Sequence, residues 1–383
     1  MKNVLLVAPF CSLPGEPYFN RFLYLAEFLS SSTRVKLVTS RFRHFDKKQR
    51  QVAIKNLPFE VCLIDEPGYR ENVSLARIYS HWKFSKNFAV WLDAELADKN
   101  YDVVYSAFPL IETNILLGKR KRKHGFRLII DVQDVWPESI SGALPFVGKI
   151  PLGALPFSRK ANSAYRMADH LIAVSETYLD RARIANKSAT GRVIYIGSDA
   201  EKMRSIAAEH LDPGKTHFVY LGSLGHSYDL LTVVRGFEKI YQAFPNYEFH
   251  ILGDGPLKNE LQNIAPPSVI FYGFLSYEKM ISIAKGAHYL INPIKAAAMQ
   301  SITNKLSDYI LLQKPIISSQ KNVEAVKLLE KTPSMYYEAG NVDSFVKVVS
   351  GLTQRKDVLI SSDILDLFDR KLSYEYVREI IGS

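Results

Sequence analysis

Short apolar runs alternate along this chain with longer amphipathic stretches, and no other feature constrains its fold as strongly. The apolar runs of the first half include VLLVAPF (4–10), RVKLVTS (34–40) and RLIIDVQD (127–134). Such runs are typical of strands buried on both faces of a parallel sheet. Between the first two lies YFNRFLYLAEFLSSS (18–32), where apolar residues recur at helical spacing. The alternation predicts β-α-β units, which build doubly wound α/β domains.

The same pattern begins again after residue 200, which predicts a second domain. The stretch 200–218 is polar and contains Pro and Gly, as linkers do, and HFVYLGSLG (217–225) has the pattern of a new first strand. A chain of 383 residues also exceeds what one ordinary core accommodates. We therefore expect two Rossmann-like doubly wound domains, 1–198 and 199–366. Ligands are expected at the carboxyl ends of the strands, in a cleft between the domains.

The excess of positive charge belongs to the first half alone. Residues 1–197 contain 29 Lys and Arg against 18 Asp and Glu, whereas the remainder contains 20 against 21. The run KRKRKH (119–124), which we place after a helix, adds to this charge, although such runs are usually only solvated. No zinc finger or aromatic RNA-binding signature accompanies it, so we expect no nucleic acid partner and favour an anionic membrane surface. The aromatic stretch 80–92 and the Gly/Pro-rich stretch 141–160 would contact lipid, but core packing explains the aromatic residues equally well.

Cysteine and histidine usage argues against disulfides and metals. Cys11 and Cys62 give no disulfide framework, and none of the nine His stands in an HxxxH pair. This usage fits a reducing cytoplasm and predicts no metal and no cofactor. The first apolar run ends at Pro9, too early for a signal peptide, and no stretch approaches a membrane span. We expect a cytoplasmic protein, at most peripheral at the inner face of the membrane.

Three glycine turns follow strands of the second domain. They are LGSLG (221–225), LGDGP (252–256) and YGFLS (272–276), each between an apolar run and a helical pattern. A fourth loop ends at Thr303, which we expect to cap a helix from about Asn304 to Gln313. Alone, that loop predicts only an ordinary capped helix. With three glycine turns beside it, backbone N–H groups would line one sheet edge and bind a diphosphate.

Several motifs occur in a recognisable order along nearly the whole chain. They are IIDVQDVWPES (129–139), YIGSD (195–199), Gly222-Ser223-Leu224, Gly253-Asp254-Gly255-Pro256, VIFYGFLSYEKMISIAKGAHYLINP (269–293) and QKPIIS (313–318). The set resembles the GT-B glycosyltransferases, most closely the retaining family 4. The first motif is similar to one in bacterial members that build surface polysaccharides such as capsule and O-antigen.

This resemblance implies a reaction and its partners. The family moves a sugar from a nucleotide-sugar donor, here UDP- or GDP-linked, with retention of configuration and without a metal. Members of the surface-polysaccharide type imply a polyprenyl-diphosphate-linked or growing oligosaccharide acceptor. The last helix, about 367–383, is expected to pack back on the first domain. The positions that the resemblance assigns to the donor are Gly15, Gly222, Ser223, Gly253, Asp254, Phe274, Lys295, Ser301, Ile302, Thr303 and Asp308.

The acidic pair of the family is altered in this chain. Where the family has two Glu, Gln300 and Asp308 stand here. Gln300 can hydrogen-bond the donor sugar but brings no negative charge, and Asp308 reaches the ribose with a shorter side chain. We expect changed donor contacts, with Gln300 still at the reaction centre.

The cationic clamp of the family is altered too. The usual Arg and Lys after the first strand of the second domain are replaced by Ser223 and Tyr228. Lys305 is expected to take over the contact with the departing diphosphate, with Lys295 as the alternative. A helix N-terminus and a lysine would stabilise that charge without a metal.

In the first domain, five positions are expected on the acceptor side or beside the donor phosphates. Gly15 would let backbone approach the phosphates, though it also fits an ordinary turn. The resemblance places Arg21 towards the cleft. Asp131, Gln133 and Asp134 end a strand, and Asp134 would orient or polarise an acceptor hydroxyl. The two Asp residues could equally cap local turns.

Two other functions use the same fold. A sugar-nucleotide epimerase would need more acid and base side chains than this chain offers. A non-catalytic partner subunit would have lost the acidic residues that contact the donor. Gln300, which stands where the family has a Glu, is consistent with that alternative.

Overall fold

The computed structural model describes residues 1–16, 21–51, 56–71, 74–137, 155, 157–296, 298, 302–352 and 360–383. Gln300, Ser301 and most of the stretch 141–160 lie outside the described residues. The chain divides into two compact units, Met1–Ile194 with Tyr374–Ser383, and Tyr195–Ser373. The sequence places these boundaries at 198 and 366. In the structure, residues 195–198 and 367–373 lie with the second unit instead of the first.

The described part of the first unit is built on a parallel sheet of seven strands in the order β5-β2-β1-β6-β7-β8-β9. The apolar runs form these strands because both faces of the sheet are covered. β3 and β4 form a separate short hairpin that the sequence did not predict. The strands are β1 Asn3–Val7, β2 Arg34–Ser40, β3 Phe42–Arg43, β4 Lys48–Gln49, β5 Glu60–Ile64, β6 Val103–Phe108, β7 Arg127–Val132, β8 His170–Ala173 and β9 Thr190–Val193.

Helices connect these strands, and the chain end returns to cover the sheet. Tyr374, Val377 and Ile381 are buried in the same core as Leu6 and Leu37. The helices of this unit are α1 Arg21–Ser30, α2 Leu75–Asp98, α3 Ile111–His124, α4 Ser158–Tyr165 and α5 Glu176–Ala185.

The basic run 119–124 forms the last turns of α3, which corrects its predicted place after a helix. Cations there complement the partial negative charge of a helix C-terminus. Arg120 pairs with Asp93, and Lys121 pairs with Asp169 at 2.6 Å. The run is therefore partly used in ion pairs within the unit.

The second unit repeats the architecture with a parallel sheet of six strands in the order β12-β11-β10-β13-β14-β15. If the strands of this sheet are numbered from one to six along the chain, their order in the sheet is 3-2-1-4-5-6, which is the arrangement of dinucleotide-binding folds. The strands are β10 Thr216–Leu221, β11 Tyr247–Leu252, β12 Val269–Gly273, β13 Tyr289–Asn292, β14 Ile316–Ser318 and β15 Ser334–Tyr336.

The predicted linker 200–218 is not wholly irregular, because a short helix, α6, opens it with Asp199 as its cap. Among the described residues, no helix combines the length and apolar character needed to span a membrane. The remaining helices are α6 Ala200–Ser205, α7 Leu230–Ile240, α8 Lys258–Ile264, α9 Tyr277–Gly286, α10 Asn304–Leu312, α11 Val323–Leu329, α12 Val342–Ser350, α13 Ser362–Phe368 and α14 Arg370–Gly382.

Candidate functional site

The glycine turns after β10 and β11 interlock at the carboxyl edge of the second sheet. A Cβ on Gly253 would lie 1.9 Å from the carbonyl oxygen of Gly222, so only glycine fits there. The Leu224 amide donates to the carbonyl oxygen of Asp254 at 2.9 Å. Both Gly222 and Gly253 have positive φ, at 124° and 152°, which glycine adopts without steric cost. The two turns therefore form one compact backbone surface at the ends of adjacent strands.

The helix α10 begins at this same edge, after the loop that follows β13. Thr303 is its N-cap, and the Thr303 hydroxyl accepts from the Leu306 amide at 3.4 Å. This confirms the predicted cap and helix start. Ile302 is buried beside the cap. The N–H groups of the first turn give this end of the helix partial positive charge.

Lys305, in the first turn of α10, places a buried amine beside the Gly222 turn. A Cβ on Gly222 would lie 3.1 Å from Lys305 Cε. Lys305 Nζ stands 3.9 Å from the ring centre of Tyr220 and 3.7 Å from that of Tyr228. It has no hydrogen-bond partner within the part of the chain that the structure describes. Burial lowers the pKa of the Lys305 ammonium well below its ordinary value. An anion beside it would favour the charged form and supply the missing acceptor.

Asp308 lies one turn further along α10, and two hydroxyl groups hold its carboxylate. Asp308 Oδ1 accepts from Ser198 Oγ at 2.6 Å and from Tyr277 OH at 2.9 Å. Burial raises the pKa of the Asp308 carboxyl, and these hydrogen bonds act against that rise. The carboxylate is thus fixed in position three residues from Lys305.

Tyr309 anchors α10 to the ends of two strands. Its hydroxyl accepts from the Leu221 amide at 3.0 Å and donates to the Ile291 carbonyl oxygen at 3.0 Å. Because Tyr309 adjoins Asp308 and follows Lys305 by one turn, this hydroxyl sets the position of both.

Sequence reasoning missed the aromatic cage and the hydroxyl pair. Tyr220 and Tyr228 enclose Lys305, and Ser198 and Tyr277 hold Asp308. One sequence signal for the aromatic cage was available, because Tyr228 stands where the family has a cation. The others come from distant parts of the chain, so no local pattern could indicate them.

The other predicted donor residues also follow strands of the second sheet. Ser223 is exposed, and its carbonyl oxygen accepts from Tyr220 OH at 2.6 Å. Asp254 caps its own turn through the Gly255 amide at 2.8 Å and pairs with Lys258. These contacts give Ser223 and Asp254 local roles in holding the turns.

Phe274 and Lys295 lie beyond the next two strands. The Phe274 side chain is 73% exposed just after β12, which leaves its surface free for a ligand. Lys295 is half-buried after β13, and its amide donates to the Ser227 carbonyl oxygen at 3.1 Å. Of the two lysines considered for the diphosphate, Lys305 alone lies on α10. Gln300 and Ser301 lie outside the described residues.

In the first unit, three predicted residues remain suitable for substrate contact. Gly15 has a φ of 83°, and no described atom lies within 4 Å of a Cβ built on it. Gln133 Nε2 is buried, with no hydrogen-bond partner in the described ranges. Asp134 Oδ1 accepts from the Val135 amide at 2.8 Å. Gln133 and Asp134 follow β7, so they lie at the carboxyl edge of the first sheet.

Arg21 and Asp131 form a buried ion pair, which corrects their predicted acceptor role. Arg21 Nε lies 3.0 Å from Asp131 Oδ2, and the two side chains are 1% and 0% exposed. Tyr105 OH donates to the same carboxylate oxygen at 2.6 Å. Arg21 also donates to the Ile194 carbonyl oxygen and lies over the ring of Tyr374. Groups so deeply buried hold the core together and do not meet an acceptor.

Comparisons with known proteins agree with this architecture. Residues 215–355, within the second unit, match the family model described as glycosyl transferases group 1. No curated protein is significantly similar to the chain in sequence. A solved structure from E. coli, described as trehalose-6-phosphate bound with UDP-2-fluoro glucose, has a TM-score of 0.70 at 12% identity. That match covers 100% of this chain and 99% of the other.

Two further solved structures share the fold over the full chain. Anabaena Alr3699/HepE in complex with UDP has a TM-score of 0.66 at 14% identity, with 100% of each chain covered. The lipopolysaccharide outer core galactosyltransferase WaaB, in its apo form, has a TM-score of 0.62 at 16% identity, with 100% and 99% covered. These similarities confirm the predicted two-domain GT-B fold. The family match and the shared fold together support a glycosyltransferase with the GT-B fold.

Proposed function

We propose that this protein transfers a sugar from a nucleotide-sugar donor bound at the carboxyl edge of the second sheet. The observation that carries the proposal is the buried Lys305 amine. It lies beside the Gly222 turn, in the first turn of α10, without a hydrogen-bond partner among the described residues. A diphosphate would supply both the negative charge and the acceptor oxygens. As the sugar departs, the lysine and the helix N-terminus would stabilise the charge on the leaving diphosphate.

The neighbouring residues suit the rest of the donor. Asp308 presents a fixed carboxylate that can accept from ribose hydroxyls, and the exposed ring of Phe274 can contact the base. Gln300 would hydrogen-bond the sugar. Two of the fold relatives are described as bound to UDP or a UDP-sugar analogue, which favours UDP among the nucleotides.

The acceptor would meet the first unit at Gly15, Gln133 and Asp134. Asp134 would orient the attacking hydroxyl, and Gln133 Nε2 could donate a hydrogen bond to the acceptor sugar. A retaining, metal-independent transfer is the mechanism that family 4 implies. Departing diphosphate oxygens can receive the acceptor proton, so a positioning role suffices for Asp134.

The surface of α2 supports a lipid-linked acceptor reached at a membrane. Its N-terminal half exposes an apolar stripe at helical spacing, formed by Leu75, Ile78, Tyr79 and Trp82, with exposed fractions of 84%, 66%, 57% and 52%. Exposed lysines follow at positions 83 and 86. By contrast, Phe84 and Phe88 are buried in the core, so only part of the predicted aromatic stretch is free. Apolar residues beside cations are what an anionic bilayer surface binds.

Nucleotide binding tests the proposal first. We expect calorimetric titration with UDP, GDP, ADP and CMP to show saturable binding of one nucleoside diphosphate. Incubating the matching nucleotide-sugar with an undecaprenyl-diphosphate-linked sugar should then yield an extended lipid-linked product. Isomerisation of the nucleotide-sugar without acceptor would show an epimerase instead. Absence of binding to all four nucleotides would contradict the proposal and favour a partner subunit.

Vesicle co-sedimentation tests the membrane surface separately. Wild-type protein should sediment with vesicles containing phosphatidylglycerol, and added salt should release it. The double variant Ile78→Ser and Trp82→Ser should lose most of this binding. Val323→Ser, which changes an exposed apolar residue of the second unit, is the matched control. Equal binding to neutral vesicles would contradict the membrane proposal.

A further inference from the structure

Two histidines and a glutamate converge on one face of the second sheet, away from the donor edge. His217 is the second residue of β10, and Glu248 and His250 lie in β11. The parallel register pairs His217 with Glu248. Alternate residues of a strand share a face, so His250 projects to the same side as Glu248. The cluster lies near the amino ends of these strands, whereas the glycine turns lie at their carboxyl ends.

The ligand atoms of the three side chains form a triangle of suitable size for a metal ion. His217 Nδ1 and His250 Nε2 are 2.9 Å apart. Glu248 Oε2 lies 3.6 Å from the first nitrogen and 3.8 Å from the second. A point at the centre of this triangle is about 2 Å from all three atoms, which is the length of Zn–N and Zn–O bonds. Glu248 is half-buried, while both imidazoles are buried.

Each imidazole has an outer partner for its second nitrogen. His217 Nε2 contacts the Asp212 carbonyl oxygen at 2.8 Å, and His250 Nδ1 contacts Tyr272 OH at 3.0 Å. Such partners orient the ring and select the tautomer that can bind a metal. Glu248 Oε1 pairs with Lys215, which leaves Oε2 directed at the histidines.

We propose that His217, Glu248 and His250 bind one divalent cation of the zinc class, with a water molecule as a fourth ligand. Two imidazoles and one carboxylate are a donor set that Zn²⁺ takes in proteins. The ion would tie β10 to β11 and, through the Asp212 carbonyl, to the segment that enters the second sheet. The site is separate from the donor edge, so its role is structural. It also differs from the expectation of no metal, because no short spacing in the sequence joins His217 and His250.

The competing arrangement needs no ion. Tyr272 OH can donate to His250 Nδ1, His250 Nε2–H to His217 Nδ1, and His217 Nε2–H to the Asp212 carbonyl oxygen. This series of hydrogen bonds gives each of these atoms a partner. Binding a metal would require the proton on His250 Nε2 to move to Nδ1. The two arrangements therefore differ in whether the cluster has measurable metal affinity.

Metal titration of the full-length, EDTA-treated protein separates the two arrangements. We expect one Zn²⁺ per chain by calorimetry and one Co²⁺ per chain with the intense visible absorption of a tetrahedral site. Glu248→Gln and His250→Gln should each weaken Zn²⁺ binding by about 100-fold, and Zn²⁺ should raise the thermal unfolding midpoint of the wild type but not of these two variants. His210→Gln, a change at an exposed histidine nearby, should leave the affinity unchanged.

Circular dichroism of each variant shows whether it remains folded. A wild-type protein that binds no Zn²⁺ would overturn the proposal. Folded Glu248→Gln and His250→Gln variants that bind Zn²⁺ as tightly as the wild type would do so as well.

Discussion

Among single residues, two buried basic side chains in this protein have opposite surroundings. Arg21 faces the Asp131 carboxylate at 3.0 Å, whereas Lys305 faces two aromatic rings and has no hydrogen-bond acceptor in the described structure. A buried amine without a hydrogen-bond acceptor is costly, which makes it a candidate for ligand contact. The sequence indicated Lys305 as a ligand contact, but it also suggested the same for Arg21. The Asp131 carboxylate, which pairs with Arg21 and has no counterpart beside Lys305 among the described residues, distinguishes the two.

Replacing one member of the Arg21–Asp131 pair should destabilise the first unit. Arg21→Met leaves the Asp131 carboxylate buried and uncompensated, so we expect a loss of about 3–5 kcal/mol in the free energy of unfolding. The double variant with Asp131→Asn should lose less than Arg21→Met alone. Urea unfolding measures both, with Lys239→Met as a control because its pair with Asp343 is exposed. Equal losses in the single and double variants would contradict a coupled pair.

Asp308 should contribute to nucleotide affinity through its charge. Asp308→Asn keeps an oxygen that can accept from Ser198 and Tyr277, so the fold should tolerate it. Hydrogen bonds to a neutral amide are weaker than those to a carboxylate, and we expect about ten-fold lower affinity for the bound nucleoside diphosphate. Calorimetry with the 2′,3′-dideoxy nucleotide is the control, because wild type and variant should bind it equally. A similar loss with both nucleotides would exclude a ribose contact.

At the scale of elements, periodicity and caps predicted most of the architecture. The apolar runs form the strands of both large sheets, and Thr303 caps the start of α10 as its local sequence predicts. The hairpin of β3 and β4 was missed because strands of two residues have no measurable periodicity. The helix α6 was missed because Pro and Gly later in the same stretch indicated a linker. The contacts that position α10 come from strand ends far away in the sequence, and no local pattern contains them.

The Tyr309 hydroxyl should control the position of α10. Tyr309→Phe leaves the Leu221 amide and the Ile291 carbonyl oxygen without their shared partner, at a cost of about 1–3 kcal/mol in stability. We expect faster hydrogen exchange at the Leu221 amide and weaker nucleotide binding. Tyr241→Phe, at a helix end away from this edge, is a suitable control. Unchanged exchange at Leu221 would show that packing alone positions the helix.

For the molecule as a whole, stability should depend on pH through two half-buried histidines of the first unit. His44 and His81 both contact Tyr69 OH, and His81 Nε2 lies 4.0 Å from Glu66. Burial lowers the pKa of His44 to about 4 and that of His81 to about 3. These values include a smaller contribution from the positive charges of Arg77 and Lys47, each of which lowers the pKa of both histidines.

This depression of the pKa predicts acid sensitivity. Between about pH 4 and 6.5 the unfolded chain binds more protons than the folded one, so stability falls as the pH is lowered through that window. At pH 5, His81 alone should contribute a loss of about 1–2 kcal/mol relative to pH 7. We expect His81→Gln to reduce the difference in urea midpoint between pH 7 and pH 5. An unaltered difference would show that other groups cause the acid sensitivity.

The proposed function depends most on a contact between Lys305 and the diphosphate of the donor. The most direct measurement is calorimetric titration of UDP into the wild type, Lys305→Met and the control Lys239→Met, each first shown to be folded by circular dichroism. We expect saturable binding to the wild type and the control, and at least about 100-fold weaker binding to Lys305→Met, because a desolvated charge–phosphate contact is lost. Equal affinity in all three proteins would contradict the claim, since the nucleotide would then bind without this lysine.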